Sequence, residues 1–182
     1  MNWPQCLKQY IKESQVRMDS CVIDTNVLIV ANNKHKNAGF KDVFECQQFL
    51  INIKKEGKHL SIDSLGLIFK EYFTHANRAG QPGVGDAFAK WFFLNQWDNS
   101  ICEQVDITPD IDGTREFLEF PEDSSLTNFD RSDRKFVAVA ISSKFDAIIC
   151  NACDSDWWDF KETLEKFGVK IKFLCPGLIK KN

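Results

Sequence analysis

Cys21, Val22 and Ile23 form a short run that is apolar on both faces and stops abruptly at Asp24, Thr25 and Asn26. This is the pattern of a buried strand that delivers polar groups at its carboxyl end. Past an Asn/Lys/His-rich turn at residues 32–38, the spacing of Val43, Phe44, Gln47, Phe49, Leu50 and Ile53 predicts an amphipathic helix over 40–55. HLSID at 59–63 reads as a second strand, Gly66 as a turn, and Ile68, Phe69, Tyr72 and Ala76 recur at helical intervals. A further helix is expected over 85–96, after the Gln81-Pro82-Gly83 break. Between 98 and 129 the pattern fades: CEQVDI has strand character, while PDIDG and FPEDSS have turn character. It returns with Phe136, Val137, Ala140 and Ile141 on a helix, an apolar strand at 147–150, helical spacing over 157–167 and a last strand at 170–174. Strands alternating with helices predict a three-layer α/β/α sandwich around a central, mainly parallel sheet. We expect a single domain over 1–182, with an insertion at about 98–129 that has no assignable pattern.

Composition changes this picture little. The chain has 182 residues, 43% hydrophobic and 27% charged, which suits one soluble globular domain. Sixteen Phe and five Trp imply a heavy aromatic core, with some rings available for stacking on a partner or an unpaired base. Apolar runs such as AVAI and WFFL are far too short to span a bilayer, and the N-terminus has no signal-peptide core, so a cytoplasmic protein without a membrane partner is expected. Seven cysteines, an odd number spread along the chain, read as reduced thiols, with Cys21 and Cys150 as small core residues.

The candidate chemistry lies in carboxylates at strand ends. In an open parallel sheet, ligands bind outside the carboxyl ends of the strands, near the point where the strand order reverses. Asp24 and Asp154 each follow a strand apolar on both faces, and Asp133 shares a helical stripe with Val137 and Ala140, so its carboxylate faces inward. Carboxylates gathered in one small volume repel each other unless a cation neutralises them, and a hard divalent cation such as Mg²⁺ is the natural partner. Other readings stand beside this one. Asp24 can act as a helix N-cap, Asp130 reads as a cap for the helix that carries Asp133, and Asp156 can cap the helix at the tryptophans. Periodicity alone leaves Glu71 on the flank of its helix, where a solvated residue is equally consistent. Trp157 and Trp158 read as core before stacking platform. Cys150 and Cys153 are spaced as CxxC, but without a second such pair a zinc site is disfavoured. The net charge of −3 becomes a small excess of bases once five site carboxylates are set aside, so it does not exclude a polyanionic partner.

Four local sequences, in order, resemble the PIN-domain family of metal-dependent nucleases: IDTNVLI, SLGLIFKEY, SDRKFVAVA and NACDSDWW, together covering residues 22–158. The resemblance implies one or two Mg²⁺ or Mn²⁺ ions, with Asp24, Glu71, Asp133 and Asp154 as ligands directly or through water. It also implies Asp156 as a ligand or orienting acid, and Asn26 and Thr25 as supporting residues around the first acid. The reaction it implies is phosphodiester hydrolysis by an activated water, without a covalent enzyme intermediate. The expected substrate is RNA ahead of DNA, cleaved internally, and the roles implied include the toxin of a toxin–antitoxin pair, with a protein antitoxin or a second copy as partner. Lys34, Lys36, Lys54, Lys55, Lys58, Arg131, Arg134 and Lys135 are candidate phosphate contacts. Ala152 stands where the family often has Thr or Ser, and residues 80–129 are longer than in its small members. Alternatives are a flap-endonuclease-type DNA nuclease and a nuclease-fold scaffold that binds RNA or protein without cleaving. A haloacid-dehalogenase-type phosphatase needs a second Asp where Asn26 stands.

Overall fold

The structure is a computed structural model and describes residues 19–111 and 113–179. Five strands form one parallel sheet: β1 Asp19–Ile23, β2 His59–Asp63, β3 Cys102–Val105, β4 Asp146–Asn151 and β5 Lys170–Phe173. Their order is β3-β2-β1-β4-β5, so the chain builds outward from β1 in one direction, then returns to build outward on its other side. Seven helices are assigned among the described residues: α1 Thr25–Ala31, α2 Phe40–Glu56, α3 Leu67–His75, α4 Val84–Asn95, α5 Arg134–Ser142, α6 Ser155–Asp159 and α7 Lys161–Lys166. Right-handed crossovers running in opposite directions from β1 require helices on both faces of the sheet. Accordingly α1 packs on α2, α3 and α4, whereas α5 packs on β1, β2 and β4. The α/β sandwich with a parallel sheet is therefore as expected from the alternation of patterns.

Local chemistry explains where the elements begin and end. Asp63 closes β2 and accepts hydrogen bonds from the backbone N–H groups of Leu67 (2.6 Å) and Ile68 (2.8 Å), satisfying the first turn of α3. Gly66 between them has φ 73°, a conformation that side chains disfavour. At Gly85 a Cβ would stand 2.6 Å from the Leu28 carbonyl, so a glycine is what lets α4 approach α1. No helix among the described residues is long and apolar enough to cross a membrane.

Three regions differ from the sequence reading. The helix α1 starts directly at the end of β1, where the sequence had offered only a capping role for Asp24. The expected helix over 157–167 is divided into α6 and α7, with Phe160 closing one and opening the other. Residues 98–129 have no long helix among the described residues; β3 falls in the CEQVDI run that had strand character, and the stretch beyond it contributes the buried side chains Ile107, Phe117, Phe120, Leu126 and Phe129 to the common core. It does so through isolated apolar anchors, so periodicity has little to report.

Arg134 requires a correction. Proposed from sequence as a phosphate contact, it is only 4% exposed, and its guanidinium donates to the carbonyls of Thr114, Leu126, Thr127 and Phe129 while lying 4.8 Å from the Phe120 ring centre. Its donors are used to tie the 114–129 segment to α5. Replacing Arg134 with Gln is expected to lower stability by roughly 2–4 kcal/mol, because buried carbonyls lose a charged donor. Urea unfolding followed by circular dichroism measures this, and a loss below about 1 kcal/mol contradicts the assigned role.

Candidate functional site

β1 and β4 pair in parallel with Ile23 opposite Cys150, and their carboxyl ends lie where the strand order reverses. Asp24 follows directly, anchored by its N–H to the Cys150 carbonyl at 2.9 Å. Its carboxylate caps α1, accepting from the Asn26 N–H at 2.8 Å. The capping role and the strand-end role thus coincide in one residue. On the β4 side, Asp154 opens α6 and accepts from the Asp156 N–H at 2.9 Å, so Asp154 is the cap the sequence had considered assigning to Asp156.

A residue the sequence reading passed over joins these two acids. Asn151, fully buried at the end of β4, donates from Nδ2 to Asp24 Oδ2 at 3.3 Å and accepts the Asp154 N–H on Oδ1 at 2.9 Å. Its place at the start of the NACDSDWW sequence was the available signal. Asn26 acts differently from expectation: only its backbone bonds Asp24, while its side-chain carbonyl accepts the Ala152 N–H at 2.7 Å. It therefore fixes the turn after β4 and supports both acids indirectly.

Asp133 arrives from the opposite direction, at the end of a short 3-10 turn over Arg131–Asp133, just before α5. It is 8% exposed and does not use its carboxylate to cap α5. Asp130, which caps that turn through the Ser132 N–H, matches its sequence assignment. Glu71 projects from α3, half-buried, and receives the Thr25 hydroxyl and the Lys135 ammonium. Thr25, expected beside Asp24, instead gives its hydroxyl to Glu71. Tyr72, the next residue, donates its hydroxyl to the Ile23 carbonyl and binds α3 to the end of β1. Lys135, proposed for phosphate contact, is buried and shared between Glu71 and the Ser132 carbonyl.

Arg131 is exposed and paired with Glu116, and Lys34 is exposed and bonded to the His75 carbonyl. Of the two tryptophans, Trp157 is fully buried against Phe129, whereas Trp158 is 37% exposed. The cysteines of the CxxC spacing diverge: Cys150 is directed to the Ile148 carbonyl and Cys153 to His35.

The electrostatics tie the acids together. Burial, then the charges of Asp154 and Glu71, raise the Asp24 pKa to about 7 against the opposing hydrogen bond from Asn26. Burial, then Asp24 and Asp154, raise Asp133 to about 9. Asp154 is raised by burial and then by Asp156, whereas Asp156 is raised by burial and then by Asp130 and Asp159, which places it toward the rim. Two buried donors at this edge, Asn26 Nδ2 and Trp157 Nε1, have no hydrogen-bond partner among the described residues, and Trp157 lies close enough to Asp24 to favour its charged form.

Among the described residues, no three His, Cys, Asp or Glu side chains converge closely enough to hold a metal ion directly. The donor set is all carboxylate, which suits a hard divalent ion held partly through water, as Mg²⁺ often is, and is unsuited to zinc. No protein-family model matches the chain, and no curated protein or solved structure is detectably similar to it.

The raised pKa values carry a sign. Between about pH 4 and the folded values, the folded chain holds protons on Asp24 and Asp133 that the unfolded chain has released, so metal-free stability falls as pH rises through this window. Asp24→Asn and Asp133→Asn are each expected to stabilise the chelator-treated protein by on the order of 2 kcal/mol at about pH 8 and by little at about pH 4. Thermal unfolding in EDTA at both pH values reads this out, and equal destabilisation at both would contradict the buried-carboxylate electrostatics.

Proposed function

We propose that the chain is a divalent-metal-dependent nuclease that hydrolyses phosphodiester bonds, acting as an endoribonuclease on single-stranded or structured RNA. What supports the reading is that Asp24 and Asp154 follow the carboxyl ends of β1 and β4, with Asp133 near enough to feel their charges, each with its pKa raised by burial and by carboxylate neighbours. A structural ion-pair network would place cations among these acids; instead Asp24 and Asp133 are raised by acidic neighbours that include Asp154, and Asp154 by Asp156 and Asp130, a pattern enriched at functional sites. The four local sequences resembling PIN-domain nucleases supply the same acids in the same order, and the parallel α/β sheet is compatible with that family.

In this reading Asp24, Asp133 and Asp154 hold one or two Mg²⁺ or Mn²⁺ ions, in part through water, with Glu71 and Asp156 at the margins. The bound cation supplies charge neutralisation and an acidified water suited to attack on phosphorus. The protein supplies position. Asn151 fixes Asp24 and Asp154 in one geometry, Asn26 holds the turn beneath them, and Thr25 and Lys135 orient Glu71. Lys70 and Arg131, which line a groove of about 320 Å³ beside Glu71, are the candidates for phosphate contact in this reading. An antitoxin-like protein or a second copy remains a partner class consistent with this role.

Incubating labelled RNA and DNA with the protein in Mn²⁺, Mg²⁺ or EDTA, beside Asp24→Asn, tests the reading. RNA cleavage is expected with either metal, none with chelator, and a loss of about 100-fold or more in the variant. Cleavage that survives EDTA or the substitution overturns the metal site, and cleavage restricted to DNA turns the reading to the flap-endonuclease type.

The Lys135–Glu71 pair favours a second reading, a nuclease fold that binds nucleic acid without cleaving it, since an internal ammonium already neutralises one acid. Lys135→Met distinguishes them. For the nuclease, releasing Glu71 is expected to tighten Mn²⁺ binding by about fivefold, equivalent to about 1 kcal/mol, in calorimetric titration. For the binding scaffold, neither protein takes up Mn²⁺.

A further inference from the structure

Cys46 lies within α2 and Cys175 just past β5, 129 positions apart in sequence, yet their sulfurs are 3.6 Å apart. Both thiols are buried, Cys46 fully and Cys175 to within 3%. The backbone around Cys175 is tied to the end of β4: its N–H donates to the Ala152 carbonyl and that of Leu174 to the Asn151 carbonyl, each at 2.9 Å. The thiol pair therefore stands where α2 meets the β4–β5 edge, next to the turn that carries Asn151 and Asp154. Two thiols in van der Waals contact need only small side-chain rotations to reach the roughly 2.05 Å of a sulfur–sulfur bond.

We propose that Cys46 and Cys175 form a redox modification site, in which peroxide converts the dithiol to an intramolecular disulfide that staples α2 to the carboxyl edge of the sheet. The two cysteines have distinct parts. Cys175 is followed by the exposed residues Pro176 and Gly177, which gives a small oxidant the shorter route from solvent. The contact between the thiols lowers the Cys175 pKa and raises that of Cys46, so Cys175, which as a thiol donates to the Asp42 carbonyl at 3.6 Å, is the more acidic of the pair. The Cys175 thiolate attacks one peroxide oxygen; the O–O bond breaks, hydroxide leaves and becomes water, and Cys175 is left as a sulfenic acid. The Cys46 sulfur then attacks the Cys175 sulfur, the S–S bond forms, the S–O bond breaks, and the leaving hydroxyl departs as water with the Cys46 proton. In sum, two thiols and one hydrogen peroxide give one disulfide and two waters. A bond closing so long a loop restricts the unfolded chain strongly and is expected to stabilise the fold.

The test uses the full chain, reduced and then exposed to dilute hydrogen peroxide under native conditions, with remaining thiols alkylated after denaturation. The expected result is an intact-mass loss of two hydrogens, a peptide cross-link joining Cys46 to Cys175, reversal by dithiothreitol, and a midpoint of thermal unfolding several degrees higher than in the reduced protein. Cys46→Ser and Cys175→Ser each remove the cross-link, while mapping on the unsubstituted protein keeps the result independent of how well the variants fold. Alkylatable Cys46 and Cys175 after treatment, oxidation that stops at sulfinic acid, a cross-link to another cysteine such as Cys21 with Cys150, or a disulfide that leaves the unfolding midpoint unchanged overturns the proposal.

Discussion

Repulsion of the buried Asp24 and Asp133 by the acids around them is the constraint around which this edge of the molecule is arranged. Two buried carboxyl groups beside the half-buried Asp154 resist ionisation at neutral pH without a cation, and they are displaced to about 7 and about 9. The chain holds them together nonetheless, with bonds that oppose relaxation. Asn151 links two acids through one side chain, Asn26 pins the turn between them, and Tyr72 binds the neighbouring helix to the end of β1.

The rest of the architecture makes that edge rigid. β1 and β4 are central strands with buried residues on both faces, and the strand order reverses between them, which is where open parallel sheets commonly bind ligands. Asp24 and Asp154 are set at the first positions of helices that continue from these strands, so each acid inherits the strand's position. Asp133 depends on a less regular support. Its short turn follows the 107–129 segment, which is held in place by single buried anchors and by Arg134 bonded to four carbonyls. The wall opposite the strand ends is therefore built from a charged side chain used as scaffolding.

Lys135 gives the site a polarity of its own. Its ammonium is directed at Glu71, so the acids divide into a cluster dominated by repulsion and a margin already neutralised. That division accounts for why Glu71, weakest in the sequence pattern, also differs from the others in its surroundings.

The sequence by itself determined the alternation of strands and helices, the parallel sandwich, and the strand-end position of Asp24 and Asp154. Each follows from apolar runs and helical spacing, which are properties of neighbouring residues. It also indicated that Asp130 caps and that Trp157 is core. Only the tertiary structure decided which donors those acids meet. Asn151 and Asp24 are 127 positions apart and become partners through the register of β1 with β4. Arg134 reads as a surface cation in a charged run, yet the loop that folds over it turns it into a buried tie. The Cys46–Cys175 contact is likewise invisible along the chain. A hydrophobic pattern reports how one element faces a core; which side chain lies opposite which depends on packing between elements, and that information is not local.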